Sequence, residues 1–319
     1  MKLRLTLVVA AALSLAQAAF AGPRFLNCDY NGGHVSIVAP DGSIEWQVDA
    51  KNPQDCWLLP NGNILFAYLN GAKEMTKDKQ VVWEYRQDLK VKNHVKLKQK
   101  DGTEVEKDLE ENVECHGCQP LPNGNVLIIE CGTSRIIEVD RKGQIAKEVK
   151  LTTAPEIRLH NQFRGTRKLA NGHYVVCFKG EGKVVELDGD GKVIREVKVP
   201  GDPHEVVVLP NKNWLITCGD GHKVQEVDPG NQVAWELNEN DLPGNPLRLM
   251  AGCQRLPNGN TLFCVYLGHG HIGEQPMVLE VTRDKKVVWE FADHAHFKTI
   301  NQVQSLEVPG DVTKGEILR

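Results

Sequence analysis

Six residues at one recurring position carry most of the polar chemistry in this sequence. Five places before a repeated leucine stand Gln54, His116, Arg164, His204, Ala251 and Asn301. Five of the six are polar, and His160 and Asn161 lie just upstream of Arg164. Imidazoles, a guanidinium and side-chain amides converging on one space would hold an anionic or sugar-like small molecule, or the acidic loop of a protein partner. Three imidazoles, His116, His160 and His204, would alternatively surround a divalent metal such as zinc and leave a position open for an activated water. Their offsets argue against this, because His160 stands nine residues before Leu169 rather than five. His116 and His204 are expected to lie outside the packed interior, so that replacing both would leave folding intact.

The elements that must position these residues are set by repeated turns. Leu59-Pro60-Asn61-Gly62-Asn63 recurs unchanged from Leu121 and from Leu256, with close variants from Leu169 and Leu209. An Asn-Gly pair between two apolar runs marks a tight hairpin, since Gly and Asn best tolerate positive φ. The leading leucines are 62, 48, 40 and 47 positions apart, which means a repeat architecture. An apolar strand follows each turn, then a strand such as Ile136–Asp140, a second turn, and a last strand such as Val81-Val82-Trp83-Glu84. Four short antiparallel strands per unit form a β-propeller blade.

Five units begin near Gln54, His116, Arg164, His204 and Ala251. The chain ends supply a sixth: Asn301–Leu306 reads as its first strand, and Phe25–Cys28, Val35–Val38 and Ser43–Trp46 as the other three. Their pairing closes the ring without a free edge. The expected fold is an all-β, six-bladed propeller formed by residues 22–319 as one domain. Residues 90–112 are a Lys- and Glu-rich insertion, expected to be a solvated excursion with no catalytic role.

Blade geometry sorts the eleven histidines. His173 falls at the tight-turn end, whereas the other ten map to the opposite end. Convergent polar groups at the mouth of the central channel there are the candidate site. Asp140, Asp188 and Asp228 recur at one blade position and read as turn-forming residues rather than catalytic carboxylates. Trp46, Trp83, Trp235 and Trp289 recur in fourth strands and read as packing between blades.

The L-P-N-G-N turn, the following apolar strand, E-V-D and V-V-W-E together resemble the PQQ-like propeller repeats and those of arylsulfotransferase-type propellers. The resemblance spans nearly all of the chain after residue 21, but its residues are those that build blades. It therefore implies the fold more strongly than a function. The arylsulfotransferase likeness implies a channel-mouth His as sulfuryl-carrying nucleophile. Here that would be His116 or His204, with Arg164 stabilising charge. PQQ itself is not expected, because the quinoprotein dehydrogenases have a larger ring and a vicinal Cys pair that this chain lacks. A cofactor is otherwise undetermined, a divalent metal being the candidate. The residues leave both binding and catalysis open, and binding is favoured.

Composition sets the address and excludes partners. Met1–Ala21 has a basic start at Lys2 and Arg4, an apolar run, and Ala19-Phe20-Ala21 before Gly22, the pattern of a cleaved signal peptide. A periplasmic or secreted protein without a membrane span is expected. Without Lys2 and Arg4, 36 basic residues face 42 acidic ones, which argues against nucleic acid as a partner. Nine cysteines would suit disulfides in an exported chain. Seven of them recur instead at two blade positions, as small apolar filler would. Cys115-His116-Gly117-Cys118 lacks the His that haem attachment needs and is by itself a weak zinc signal.

Overall fold

The computed structural model describes residues 22–99 and 101–319; the signal-peptide reading of 1–21 lies outside them. Six four-stranded antiparallel sheets form a six-bladed propeller. Blade 1 joins Ile300–Ser305 to Phe25–Asp29, His34–Val38 and Ile44–Asp49. Its closing register sets Phe25 opposite Ser305 and Asn27 opposite Val303. Blade 2 holds Asp55–Leu58, Ile64–Tyr68, Gly71–Met75 and Val81–Arg86; blade 3 holds Cys115–Pro120, Val126–Glu130, Arg135–Val139 and Ile145–Lys150. Blade 4 runs through Phe163–Lys168, Tyr174–Phe178, Lys183–Leu187 and Val193–Lys198, and blade 5 through Glu205–Val208, Trp214–Thr217, Lys223–Val227 and Val233–Asn238. Blade 6 is Leu249–Arg255, Thr261–Tyr266, Val278–Val281 and Val287–Phe291. No helix is long and apolar enough to cross a membrane among the described residues.

Burial follows position in the blade. Second strands such as Ile64–Tyr68 and Val126–Glu130 are buried at every residue, because both faces pack on neighbouring blades. Fourth strands such as Val81–Arg86 alternate exposed and buried residues. The indole nitrogens of Trp46, Trp83 and Trp235 donate to the carbonyls of Lys77, Asp140 and Arg283, each at 2.9 Å. These tryptophans hook one blade to the outer turn of the next. Asp140 and Asp188 accept backbone N–H bonds in their own turns, as their turn-forming reading requires. All nine cysteines are buried and free.

The repeated turn works differently from an Asn-Gly turn with two positive φ angles. Only the glycine is left-handed, at φ 82° in Gly62 and 84° in Gly124. The asparagine side chain instead accepts from the backbone two residues on, as Asn61 Oδ1 does from Asn63 N at 3.0 Å. Lys212 takes the glycine's place at φ 67°.

The insertion is a two-stranded hairpin, Lys90–Lys98 with Glu104–Asn112. Its register sets Lys92 opposite Glu110, His94 opposite Asp108 and Lys96 opposite Glu106, so opposite charges face across the strands. The hairpin base is tied to the fold, because Glu111 pairs with Arg158 at 2.9 Å. The chain leaving it runs directly into Glu114.

Candidate functional site

A cavity of about 340 Å³ occupies the channel mouth at the His-rich end. It is lined by Gln54, His160, Asn161, Arg164, His204 and Asn301 from the expected ring. Tyr30, Lys179, Asp220, Leu249, Ala251, Tyr266 and His269 complete the wall. His116 lies deeper. With Arg164, His204 and Asn301 it borders a smaller space below the mouth.

Arg164 organises one side. Its Nη1 reaches His116 Nδ1 at 2.6 Å and its Nη2 reaches His160 Nε2 at 3.0 Å. The opposite nitrogens, His116 Nε2 and His160 Nδ1, meet Glu114 Oε2 at 2.6 and 2.7 Å. A guanidinium can only donate and a carboxylate can only accept. Each imidazole must therefore donate to Glu114 and accept from Arg164, which relays the ion pair through two rings. Burial alone would raise the Glu114 carboxyl, but hydrogen bonds from His116 and His160 outweigh it and hold it well below the usual carboxylate range. Burial and the Arg164 charge pull His116 down to about 4. Burial also lowers Arg164 itself.

His204 flanks Arg164 on the other side under different constraints. Its Nδ1 donates to the Asp202 carbonyl at 3.0 Å, and Nε2 has no partner among the described residues. Burial, then the Arg164 charge, press its basicity well below the ordinary range, leaving an uncharged imidazole with an available lone pair. Lys179 pairs with Asp202 at 2.7 Å and donates to Asn161 Oδ1 at 3.2 Å. Across the mouth Tyr30 and Tyr266 meet edge to face, 6.2 Å between centroids, and Asn301 Nδ2 donates to Gln54 Oε1 at 3.2 Å.

Two sequence expectations change. His116 is 4% exposed and both its nitrogens are engaged, so it belongs to the interior and is not an accessible nucleophile. Among the described residues, the ligand atoms close enough to surround a cation belong to Glu114, His116 and His160, within 4.8 Å of one another. His204 is not in that group. The donor set suits a divalent ion, but the protons stand against it. Coordination through His116 Nε2 would move its hydrogen to Nδ1, which the Arg164 N–H meets at 2.6 Å and the Phe163 carbonyl at 2.9 Å, and would set the cation close to the guanidinium.

Comparison with known proteins agrees with this architecture. The sequence profile described as Mal s 1 allergenic protein-like matches residues 30–258, from Tyr30 through the sixth blade's first turn. The chain belongs to that family. A protein of unknown function from Bacteroides caccae is similar at 27% identity and a TM-score of 0.75, over 88% of this chain and 98% of that one. A streptogramin B lyase aligns at 13% identity and a TM-score of 0.55, over 86% and 85%. A chain of a nidogen/laminin complex aligns at 9% and 0.58, over 90% and 100%. The last two share the fold alone. No curated protein matches. The comparisons thus support the propeller and this family, and do not extend to a PQQ-like or arylsulfotransferase identity.

The Mal s 1-like propeller carries a second polar tier that the repeats also encode but that the sequence reading passed over. Four residues before each leucine stand Asp55, Gly117, Gly165, Glu205, Gly252 and Gln302. Two of the glycines clear space for their neighbours. A Cβ on Gly165 would lie 2.4 Å from Glu205 Oε1 and 2.9 Å from the His204 carbonyl, and one on Gly252 would lie 1.9 Å from Gln302 Oε1. Gly165→Ala is expected to cost about 1–3 kcal/mol, read as a lower urea midpoint. An unchanged midpoint would show that the tier has slack.

Below this tier the channel is closed by ions. Arg167 bridges Asp55 Oδ2 and Glu205 Oε2, each at 2.9 Å, and Arg319 reaches Asp55 Oδ1 at 3.1 Å. Trp57 lies under both guanidinium groups, 5.0 and 4.1 Å from its ring centroid. The mouth is therefore a blind site. Of the groups missed in the sequence, Glu114 had a legible signal, standing two residues before His116. Tyr30, Lys179 and Asp202 had none, since loops of unequal length bring them in, and Tyr266 ends the second strand of blade 6 at a position where most other repeats carry no matching aromatic.

Proposed function

We propose that this exported-type propeller is a binding protein that takes a small organic ligand in the His-rich mouth. The observation that carries the reading is a cavity whose walls are held in place before any ligand arrives. Arg164 is fixed by four acceptor atoms on three residues, Lys179 by Asp202, and His204 by a backbone carbonyl. Preorganised walls spare a ligand much of the cost of ordering its site. A concave, blind space favours a small molecule over a protein loop. The leader-like start supports placing this binding outside the cytoplasm.

His204→Ala is expected to change stability by no more than about 1 kcal/mol, because one ring nitrogen is free and the other holds a single carbonyl. The same substitution should abolish ligand-induced stabilisation. A thermal-shift screen of a chemically diverse small-molecule library on wild type and variant tests this. If no compound stabilises wild type more than the variant, the mouth is not the binding site.

A second reading rests on the free Nε2 of His204. An uncharged imidazole beside Arg164 and Lys179 is suited to act as base or nucleophile while the cations stabilise developing negative charge. Sulfuryl transfer, if it occurs here, would therefore run through His204 rather than His116.

A further inference from the structure

The mouth presents hydrogen-bonding groups in a mixed pattern and no surplus of positive charge. Resting on its reading as a binding site, we propose that the ligand is a single pyranose sugar carrying at most one negative charge. Charge supports the limit. Arg164 is balanced by Glu114 through the two imidazoles, Lys179 by Asp202, and Asp220 stands on the rim within 3.2 Å of His269. Two cations thus face three carboxylates. A phosphate or sulfate dianion would be stripped of water with nothing left to neutralise it.

The free polar atoms point to hydroxyl groups. His204 Nε2 is an acceptor, because its Nδ1 hydrogen is committed to the Asp202 carbonyl. Gln54 Nε2 and Asn161 Nδ2 are donors, and the oxygen of each amide already accepts, from Asn301 and from Lys179. A hydroxyl both donates and accepts, so the hydroxyls around one ring can satisfy one acceptor and two donors together. A carboxylate or sulfate only accepts and would leave His204 Nε2 unpaired. Between His204 and Gln54 around the ring, Tyr30 and Tyr266 with Leu249 form an aromatic and apolar wall, suited to the C–H face of a sugar ring. Burial holds both phenols protonated, Tyr266 being pushed up to about 12. The cavity, about 340 Å³, is near the lower end of the roughly 300–1,000 Å³ seen for small-molecule sites, which favours one ring over an oligosaccharide.

The test is calorimetry and ligand-observed NMR on the full chain. The sugar panel is the methyl glycosides of glucose, galactose, mannose and N-acetylglucosamine, with glucuronate as the singly charged member. Inorganic phosphate, sulfate and benzoate are the comparators. At least one sugar should bind with Kd below about 10 mM. His204→Ala and Gln54→Leu, on opposite sides of the mouth, should each weaken it by about tenfold or more while leaving the circular dichroism spectrum unchanged. The assignment is overturned if no sugar binds, if phosphate or sulfate binds more tightly than every sugar, or if neither substitution weakens the sugar. Benzoate or phosphate binding that is lost in His204→Ala would sink the sugar class and keep the binding site. Failure of every probe would remove both.

Discussion

Replacing Arg167 by alanine is expected to lower stability by about 3–5 kcal/mol, the largest loss from any single side chain around the channel. Arg167 bridges Asp55 and Glu205 in a site where all three side chains are nearly inaccessible, at 6% and 2% exposed. Its Nε also donates to the Arg319 carbonyl at 3.1 Å. Alanine would leave Asp55 with Arg319 and Glu205 without a cationic partner in contact. Gln302, donating to Glu205 Oε2 at 2.8 Å, is a neutral partner and compensates little. The loss should depend on pH in a definite direction. Burial, opposed by Arg167, leaves Glu205 raised above its ordinary range. The folded state therefore keeps that proton to higher pH than the unfolded chain does, and stability falls as pH rises through the folded value. Without Arg167 the folded value rises further, so the deficit should be larger at pH 7 than at pH 5. Urea unfolding at both pH values measures it, and adding Glu205→Gln to the variant should restore part of the loss. A deficit below about 1 kcal/mol at pH 7 would mean that water reaches this tier and screens it.

The second large effect is acid sensitivity centred on His116. Its folded value lies at about 4, against about 6.5 for a free imidazole. The unfolded chain takes up this proton near pH 6.5, while the folded one resists it until about pH 4. Stability should therefore fall as pH drops through that window, by roughly 3 kcal/mol for this residue. His204, also lowered by burial and the Arg164 charge, acts in the same direction. Glu114, held below its ordinary value, extends the loss below about pH 4.5. The groups facing His116 are Glu114, His160, Arg164, the Phe163 carbonyl at 2.9 Å and the Cys131 thiol at 3.3 Å. A proton on its Nδ1 would sit beside the Arg164 guanidinium as well as the Phe163 carbonyl, and burial together with that neighbouring charge explains the resistance. His116→Gln should be less stable than wild type at pH 7, because Glu114 and Arg164 lose the relay between them, yet less sensitive to acid from pH 6.5 to 4. Denaturant midpoints across that range decide the matter. Equal slopes for the two proteins would place the acid response elsewhere.

These two networks mark the boundary between what was legible in the residues and what was not. The turn from Leu59 to Asn63 and its copies are local. Their backbone bonds, the left-handed glycine and the asparagine side-chain bond all lie within five residues. Such features read directly from sequence, and their repetition determined the blades, their number, and closure of the ring through Phe25–Asp29 and Ile300–Ser305. Because strands of equal design repeat around one axis, the position five residues before each leucine also had to face the channel mouth. That placed Gln54, Arg164, His204 and Asn301 around one cavity without any knowledge of the contacts between them.

Tertiary structure alone decided what those residues can do. His116 and His204 occupy equivalent repeat positions, yet one is locked between Glu114 and Arg164 and the other keeps a free nitrogen. The difference arises in connections that do not repeat, namely the hairpin at 90–112 that delivers Glu114 and the loops that deliver His160, Lys179 and Asp202. A hydrogen bond depends on positions to within a few tenths of an ångström, and loops of unequal length carry no periodicity from which such positions follow. The order of blades was therefore written in the sequence, whereas the protonation, charge balance and accessibility of the mouth depended on how its irregular segments packed.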